Sequence, residues 1–186
     1  MVLSGAVTLG SARVSIGGCT LTGGLFISTG KPILTECRIE RLSLSGEAAP
    51  KLIECQLSGV EAAEGAAGSL DNCEISGAGV RIGGKASTKL KGCRIHDSGG
   101  VRIEGEASPS LSSCEITHSS GVGLTITGGA PTIRRCTIHH NAANGVSLSG
   151  AAAGTLSSCE INNNGAPGVG AQLSLIHISE PTRQLQ

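Results

Sequence analysis

The chain has 186 residues, no net formal charge at pH 7, 29 glycines and one aromatic residue, Phe26. A globular core of this size normally takes much of its buried area from large rings, so the composition argues against such a core. Zero net charge excludes a global field that attracts nucleic acid or an anionic membrane, and no apolar run approaches the ~18 residues of a membrane-spanning helix. We therefore predict neither nucleic acid nor membrane as a partner.

A fixed frame organises the chain: an aliphatic residue, then cysteine three positions later, then another aliphatic residue two positions after that. An example is Leu111, Cys114 and Ile116. Successive cysteines are 18, 18, 18, 20, 21, 22 and 23 residues apart. A motif with a period of about twenty residues predicts a solenoid of stacked coils. All eight cysteines occupy the frame: Cys19, Cys37, Cys55, Cys73, Cys93, Cys114, Cys136 and Cys159.

The repeat includes the first residues of the chain. The spacing of Leu3, Val7 and Leu9 matches that found eighteen residues later, which places Met1 in the column of the cysteines. The chain therefore starts partway round a coil. Because solenoid ends need capping, we expect residues 1–172 to be a single-domain fragment that starts and ends within a coil.

Each cysteine frame leads into a second apolar pair, two residues apart and usually preceded by glycine, as in Gly100-Val101-x-Ile103. Alternation at period two predicts a strand with one buried face, and glycine suits a turn with positive φ. A third connection, rich in Gly, Ala, Ser and Pro, leads to the next coil. The sequence thus predicts an all-β parallel helix of about eight coils.

The handedness of this helix follows from the aliphatic spacing. A period of 18 residues also fits a left-handed helix of hexapeptides, which needs an aliphatic residue at every sixth position. Here the spacings are five, then three to eight, then seven or eight, and the period drifts to 23. This pattern favours a right-handed parallel β-helix.

Length varies at one turn only, between the cysteine frame and the glycine-preceded strand. This turn grows from three or four residues in the early coils to eight in the last three, a variation that stacked coils tolerate at a single turn. The longer turns are polar, and they place Ser119, Asn141 and Asn164 in one column. Side-chain amides and hydroxyls in such a column can bond each other and the turn backbone.

The cysteines allow a disulfide or a free-thiol interpretation. Stacked on parallel strands, their side chains would lie about 4.8 Å apart, beyond the ~3.8 Å Cβ separation that a disulfide prefers. We therefore predict eight reduced thiols that act as small buried hydrophobic groups. No Cys-x-x-Cys pair supports a zinc site, no cofactor is predicted, and free thiols favour an intracellular location.

Three arginines are candidate binding residues. Arg94 lies between Glu74 and Glu115 in the column that follows the cysteines, which predicts a ladder of ion pairs, and Arg81 and Arg102 are neighbours in the next strand. Such a group could hold a uronate or a phosphate. The alternative is a solvated surface of alternating charge, in which each exposed ion pair contributes little energy.

The position four residues after cysteine is the candidate catalytic column, and it contains Asp97, His118, His140 and Asn163 on successive coils. A carboxylate beneath two imidazoles could serve as an acid/base pair or bind a metal. The alternative is a polar turn that uses these residue types because they suit turns. The sequence lacks the paired carboxylates of a glycosidase and the clustered acidic ligands of a calcium site, so we predict neither catalysis nor a metal.

Residues 100–116, 123–138 and 145–164 together carry a family resemblance. They are similar to the right-handed parallel β-helix repeat of the pectin-lyase-like superfamily, above all to its carbohydrate-binding and sugar-hydrolase modules, including those of F-box-only ubiquitin-ligase adaptors. The cysteine position is often Asn in that family. The resemblance implies a fold but leaves function open; with an F-box upstream, the implied role is substrate recognition in a ubiquitin ligase.

The last segment resembles something else. Residues 173–183 read LSLIHISEPTR, which is similar to the translation of a transposase adapter used in sequencing libraries. We predict that residues 173–186 are a non-native tail, and we exclude them, His177 included, from functional reasoning.

Three hypotheses about function follow. The first is a non-catalytic scaffold that binds a protein or polysaccharide partner along its stacked strands. The second is a fragment of a polysaccharide lyase or hydrolase whose catalytic coils are missing. The third is a secreted adhesive repeat protein, which oxidised cysteines would distinguish from the other two.

Overall fold

The computed structural model describes residues 1–10, 13–166, 168–171, 175–179 and 183–185. Within these ranges the chain forms 28 short strands and no helix. Accordingly, the described residues contain no helix with the length and apolarity needed to cross a membrane. The strands build three parallel sheets, and the chain visits the sheets in turn as it winds.

Each sheet takes one strand from every coil. Sheet A has ten strands: β1 (Val2–Leu3), β4 (Thr20–Leu21), β7 (Arg38–Ile39), β10 (Gln56–Leu57), β13 (Glu74–Gly77), β16 (Arg94–Ser98), β19 (Glu115–Thr117), β22 (Thr137–His139), β25 (Glu160–Asn162) and β28 (Arg183–Leu185). Sheet B has nine: β2 (Val7–Leu9), β5 (Leu25–Ile27), β8 (Leu42–Leu44), β11 (Val60–Ala62), β14 (Val80–Ile82), β17 (Val101–Ile103), β20 (Leu124–Ile126), β23 (Val146–Leu148) and β26 (Val169–Ala171). Sheet C has nine: β3 (Ser15–Gly17), β6 (Ile33–Thr35), β9 (Lys51–Ile53), β12 (Ser69–Asp71), β15 (Lys89–Lys91), β18 (Ser110–Ser112), β21 (Thr132–Arg134), β24 (Ala153–Ser157) and β27 (Leu175–Ser179). The predicted all-β solenoid of about eight coils is confirmed.

The core is a narrow stack of aliphatic side chains in strict register. On sheet A, Ile75 pairs with Ile95, which pairs with Ile116 in the next coil, and all three are fully buried. Burying each such side chain stabilises the fold by about 1.5–3 kcal/mol relative to exposing it. The single phenylalanine of the protein is not part of this core, because Phe26 lies on the outer side of β5 and is 41% exposed.

The cysteine column lies at the corner between sheets C and A. All eight cysteines are free and only 1–3% exposed, as predicted. Seven of the thiols bond to backbone carbonyls; Cys114 Sγ, for example, donates to Leu90 O at 3.5 Å and to Ser112 O at 3.4 Å. Burial, together with the neighbouring Cys37 thiol, raises the pKa of Cys19, so this thiol stays protonated at neutral pH.

The residue before each cysteine forms the bend from sheet C to sheet A, and it adopts a left-handed conformation that the sequence did not reveal. In six coils it is not glycine, and φ lies between 52° and 54°. A non-glycine residue in this region stores about 1 kcal/mol or more of strain, which the register of the adjoining coils imposes. The six residues are Glu36, Glu54, Asn72, Ser113, Arg135 and Ser158.

Replacing Ser113 by Gly should raise the free energy of unfolding by about 1 kcal/mol, because glycine adopts a positive φ without a Cβ clash. The matched control is Ser112→Gly at the end of β18, which should lower it by about 0.5–1 kcal/mol because extended backbone gains nothing from glycine. Chemical denaturation of the three proteins gives both values. A loss of stability in Ser113→Gly would show that the bend is unstrained.

The glycines that precede the strands of sheet B are needed for two different reasons. Gly24 and Gly100 have φ of 89° and 79°, as predicted. The prediction of positive φ is wrong at Gly59, Gly123 and Gly145, which are absent from the positive-φ residues. A Cβ at Gly123 would lie 2.6 Å from Asn141 Nδ2, so close packing, not the turn, requires glycine there.

The end of the chain continues the pattern at the level of the backbone. Leu175–Ser179 pairs with β24, and Arg183–Leu185 pairs with β25. The prediction that residues 173–186 derive from an adapter falls partly outside the described residues, and it stays a prediction, as does the expectation that residues 1–172 are a fragment.

Candidate functional site

The outer face of sheet A carries a row of polar side chains, which we call the outer ladder. Arg38 donates to Gln56 Oε1 through Nε at 3.1 Å and Nη2 at 2.8 Å, and Gln56 Nε2 lies 3.4 Å from Glu74 Oε2. Further along, Arg94 Nε lies 3.2 Å from Glu115 Oε2. The predicted ladder of ion pairs through Arg94 therefore forms on one side only, because Glu74 bonds to other residues.

His96 is held between two carboxylates of the outer ladder. Its Nε2 lies 3.0 Å from Glu74 Oε1, and its Nδ1 lies 2.8 Å from Asp97 Oδ2. An ionised carboxylate only accepts hydrogen bonds, so both contacts together need the imidazolium form of the ring. The hydrogen bond from His96 lowers the pKa of Asp97. Sequence analysis did not single out His96, which the register of β13 and β16 brings to Glu74.

Replacing Asp97 by Asn should lower the melting temperature modestly at about pH 6, and this loss should shrink as the pH is lowered toward about 2. The folded-state pKa of Asp97 is lowered below 3.8. Its ionisation therefore stabilises the fold above the unfolded-state pKa, and this contribution is lost as pH falls through the folded-state pKa. The effect is modest because the Asp97 side chain is 74% exposed and screened by water. Thermal unfolding of both proteins at both pH values checks this, and an equal loss at low pH would contradict it.

The rings of the two candidate catalytic histidines stack as predicted, but the hydrogen bond of Asp97 is made to a different histidine. The rings of His118 and His140 have centroids 5.6 Å apart and planes 10° apart, whereas Asp97 bonds to His96. All four residues of the column have positive φ, from 46° to 54°. Polar turn residues tolerate this conformation better than other types, so the composition of the column is explained by the turn.

A second histidine network connects the coils of β19 and β22. His139 Nε2 lies 2.9 Å from Glu115 Oε1, and its Nδ1 lies 2.6 Å from His140 Nδ1. One of these two Nδ1 atoms must donate the hydrogen bond and the other must accept it. The Thr117 hydroxyl bonds to His118 Nδ1 at 2.9 Å. Among the described residues no group of three His, Cys, Asp or Glu side chains could hold a metal ion.

A column of amides behind these histidines fixes their turn. The Ser119 amide donates to Asn141 Oδ1 at 3.0 Å, and Asn141 Nδ2 donates to Asn164 Oδ1 at 2.9 Å. Asn141 is only 2% exposed. The predicted column is thus confirmed. It positions His118 and His140, because each of them directly precedes a member of the column.

The three candidate arginines do not form one site. Arg81 and Arg102 are register partners on the outer side of sheet B, and Arg81 is bonded to Glu104 Oε1 through Nε at 2.9 Å and Nη2 at 2.6 Å. Arg94 lies on sheet A and pairs with Glu115. An anion that needs all three guanidinium groups therefore finds no common position.

The comparison with known families decides the fold family. Residues 51–175 match the profile of a family described as a right handed beta helix region. The chain belongs to this right-handed β-helix family. The predicted right-handedness of the helix is thereby confirmed. A search of curated proteins found no match to the sequence. Because β-helices occur both in enzymes and in proteins without activity, function has to be argued from the surface.

This β-helix has a further surface feature, two adjoining recesses at the turns between sheets A and B in the early coils, which we call the turn groove. The recesses share two lining residues, Arg41 and Ala78. The groove was not predicted from the sequence, although the sequence shows that this turn is short in the early coils and longer in the later ones. The first recess, of about 410 Å³, is lined by Gly23, Gly24, Phe26, Glu40, Arg41, Ser58 and Ala78. The second, of about 290 Å³, is lined by Arg41, Gly59, Val60, Glu61, Ala78, Gly79 and Arg81.

Proposed function

We propose that this β-helix is a non-catalytic scaffold that binds a protein or glycan partner along its stacked strands. The observation that carries the proposal is the hydrogen-bonded row from Arg38 through Gln56, Glu74 and His96 to Asp97. Ordering a long side chain on binding opposes association by about 0.5–1.5 kcal/mol. Side chains already held by each other avoid much of that loss, so the outer ladder is suited to recognition.

The same contacts argue against general acid/base chemistry by His96 or His139. A general acid or base needs a ring nitrogen or a carboxylate within reach of substrate. Both nitrogens of His96 face carboxylates, and both nitrogens of His139 are bonded within the network. These two histidines are therefore engaged by neighbouring side chains, whereas the candidate catalytic residues His118 and His140 are bonded through Nδ1, to Thr117 and His139.

A charge-reversal experiment tests the proposal. The double variant Arg38→Glu with Arg94→Glu changes the outer ladder, and Lys89→Glu with Lys91→Glu on sheet C is the matched control. Crosslinking followed by mass spectrometry identifies a partner, whose affinity for the three proteins is then measured with purified material. We expect about tenfold weaker binding for the ladder variant and little change for the control. Equal affinities for all three proteins would place the binding surface elsewhere.

The enzyme alternative is supported by the exposed His118–His140 stack. It predicts turnover of a polysaccharide such as polygalacturonate, measured as new reducing ends or unsaturated products. Loss of such turnover in Asp97→Ala or His140→Ala would replace the scaffold proposal with an active site. A wild-type protein inert on a panel of polysaccharides supports the scaffold.

A narrower form of the proposal makes this β-helix the substrate-recognition part of an F-box-type ubiquitin-ligase adaptor. Its support is the resemblance of residues 100–164 and the eight free thiols. Sequencing the source transcript beyond Met1 and Gln172 tests it. An F-box upstream supports the adaptor role, whereas a signal peptide contradicts it and favours the enzyme or the secreted adhesive protein.

A further inference from the structure

Phe26 forms the apolar part of the first recess. It is the only aromatic residue of the chain, yet it lies outside a core that excludes it. Its ring rests against the backbone of Gly24, because a Cβ built at that glycine would lie 3.4 Å from Phe26 Cε2. A ring supported on one side and open on the other offers a fixed apolar contact to a ligand.

The second recess has an apolar lining between two guanidinium groups. The exposed Ala78, with Gly59, Gly79 and the buried Val60, forms much of its lining, while Arg41, Glu61 and Arg81 flank it. Its volume of about 290 Å³ is small. The apolar part of this lining suits an aliphatic side chain better than a sugar ring with its hydroxyl groups.

Arg41 lies between the two apolar features, because it lines both recesses. In the part of the chain that the structure describes, its guanidinium has no hydrogen bond or ion pair, whereas Arg81 is bonded to Glu104. An unpaired guanidinium beside apolar surface is a strong bidentate donor to a carboxylate.

The spacing of these features matches an extended chain. Phe26 and Arg81 occupy one outward column, three coils apart through Ser43 and Glu61. At about 4.8 Å per coil the separation is ~14 Å, close to four residues of extended peptide at ~3.3 Å each. Alternate side chains of such a peptide face the same way, so residues i, i+2 and i+4 reach Phe26, Arg41 and the second recess.

We propose that the turn groove docks an extended peptide segment of a partner protein with the pattern apolar-x-acidic-x-apolar. This inference rests on the proposed binding function and names its partner class. Glu40 and Glu61 also line the groove, and they oppose a polyanionic ligand. Addition of the peptide as a strand is excluded here, because β5, β8 and β11 are paired on both sides, so recognition depends on side chains.

The single phenylalanine makes the test specific. Protein labelled with 4-fluorophenylalanine gives one fluorine NMR signal, from Phe26. The probe is a capped synthetic peptide with Leu-Ser-Glu-Ser-Leu at its centre, and the control peptide has Lys in place of Glu. We expect the Glu peptide to shift the signal saturably and to bind about tenfold more tightly than the Lys peptide.

Variants then locate the carboxylate contact. Fluorescence anisotropy with labelled peptides gives the affinities of wild type, Arg41→Glu and Ile33→Ala for both peptides. Arg41→Glu should reverse the preference, so that the Lys peptide binds more tightly than the Glu peptide. Ile33 is 43% exposed on sheet C, and its replacement should change nothing.

No fluorine shift, or a peptide preference that Arg41→Glu leaves unchanged, would overturn the inference. A shift with neutral xylohexaose but not with the peptide would make the groove a glycan site and overturn it too. If the peptide does not bind while the outer-ladder variant still binds its partner more weakly than wild type, the inference about the groove is wrong and the proposed function stands.

Discussion

Replacing Cys114 by Asp should lower the free energy of unfolding by roughly 4 kcal/mol, whereas Cys114→Ala should lower it by about 1 kcal/mol. The side chain is 2% exposed, and its thiol donates to two backbone carbonyls. A carboxylate at this position would be buried without a positive partner and would face those carbonyl oxygens, so burial and repulsion act together. Thermal and urea unfolding of the three proteins measure both values.

The matched control for this substitution is one residue away. Ser113 is exposed, and Ser113→Asp adds the same charge at the same corner, where Asp tolerates positive φ. We expect a change within about 0.5 kcal/mol. Equal melting temperatures for Cys114→Asp and Cys114→Ala would mean that the cysteine column faces solvent.

Replacing Asn141 by Ala should lower the free energy of unfolding by about 3 kcal/mol, because several buried groups lose their partners at once. Its Oδ1 accepts from the Ser119 amide, and its Nδ2 donates to Ile116 O and to Asn164 Oδ1. Each buried group left without a partner destabilises by about 1–3 kcal/mol. Denaturant unfolding gives the value, and the spectra of His118 and His140 should change with it.

Ser119→Ala is the control for the amide column. The Ser119 hydroxyl is, within the described residues, the buried side-chain oxygen that has no hydrogen-bond partner. Its removal should leave stability unchanged or raise it by up to about 1 kcal/mol. A loss in Ser119→Ala as large as that in Asn141→Ala would show that packing volume, not hydrogen bonding, holds this turn.

The turn groove and the polar turns that carry His118 and His140 differ in one variable, the length of the turn between sheets A and B. Where it is short, Gly24, Arg41 and Gly59 leave space for the turn groove. Where it is long, the amide column of Asn141 and Asn164 supports a raised polar turn. A solenoid allows this because the other two connections keep the coils in register.

The sequence by itself determined the architecture. The cysteine frame, the period-two pairs and the single turn of variable length predicted the coils, the buried thiols and the amide column, because in a solenoid each contact repeats at a known sequence offset. For the same reason the stacking of His118 on His140 could be predicted from their shared position in the frame.

Only the tertiary structure decided which polar groups meet. A side chain on the outer face has possible partners on both adjoining coils, and the register of the strands does not determine which of them it contacts. In the structure Glu74 bonds to His96 and Gln56, and Arg94 bonds to Glu115. The left-handed conformation of the residues before the cysteines, such as Glu54 and Arg135, could not be predicted from the sequence either. Neighbouring coils impose this conformation on residue types that do not favour it on their own.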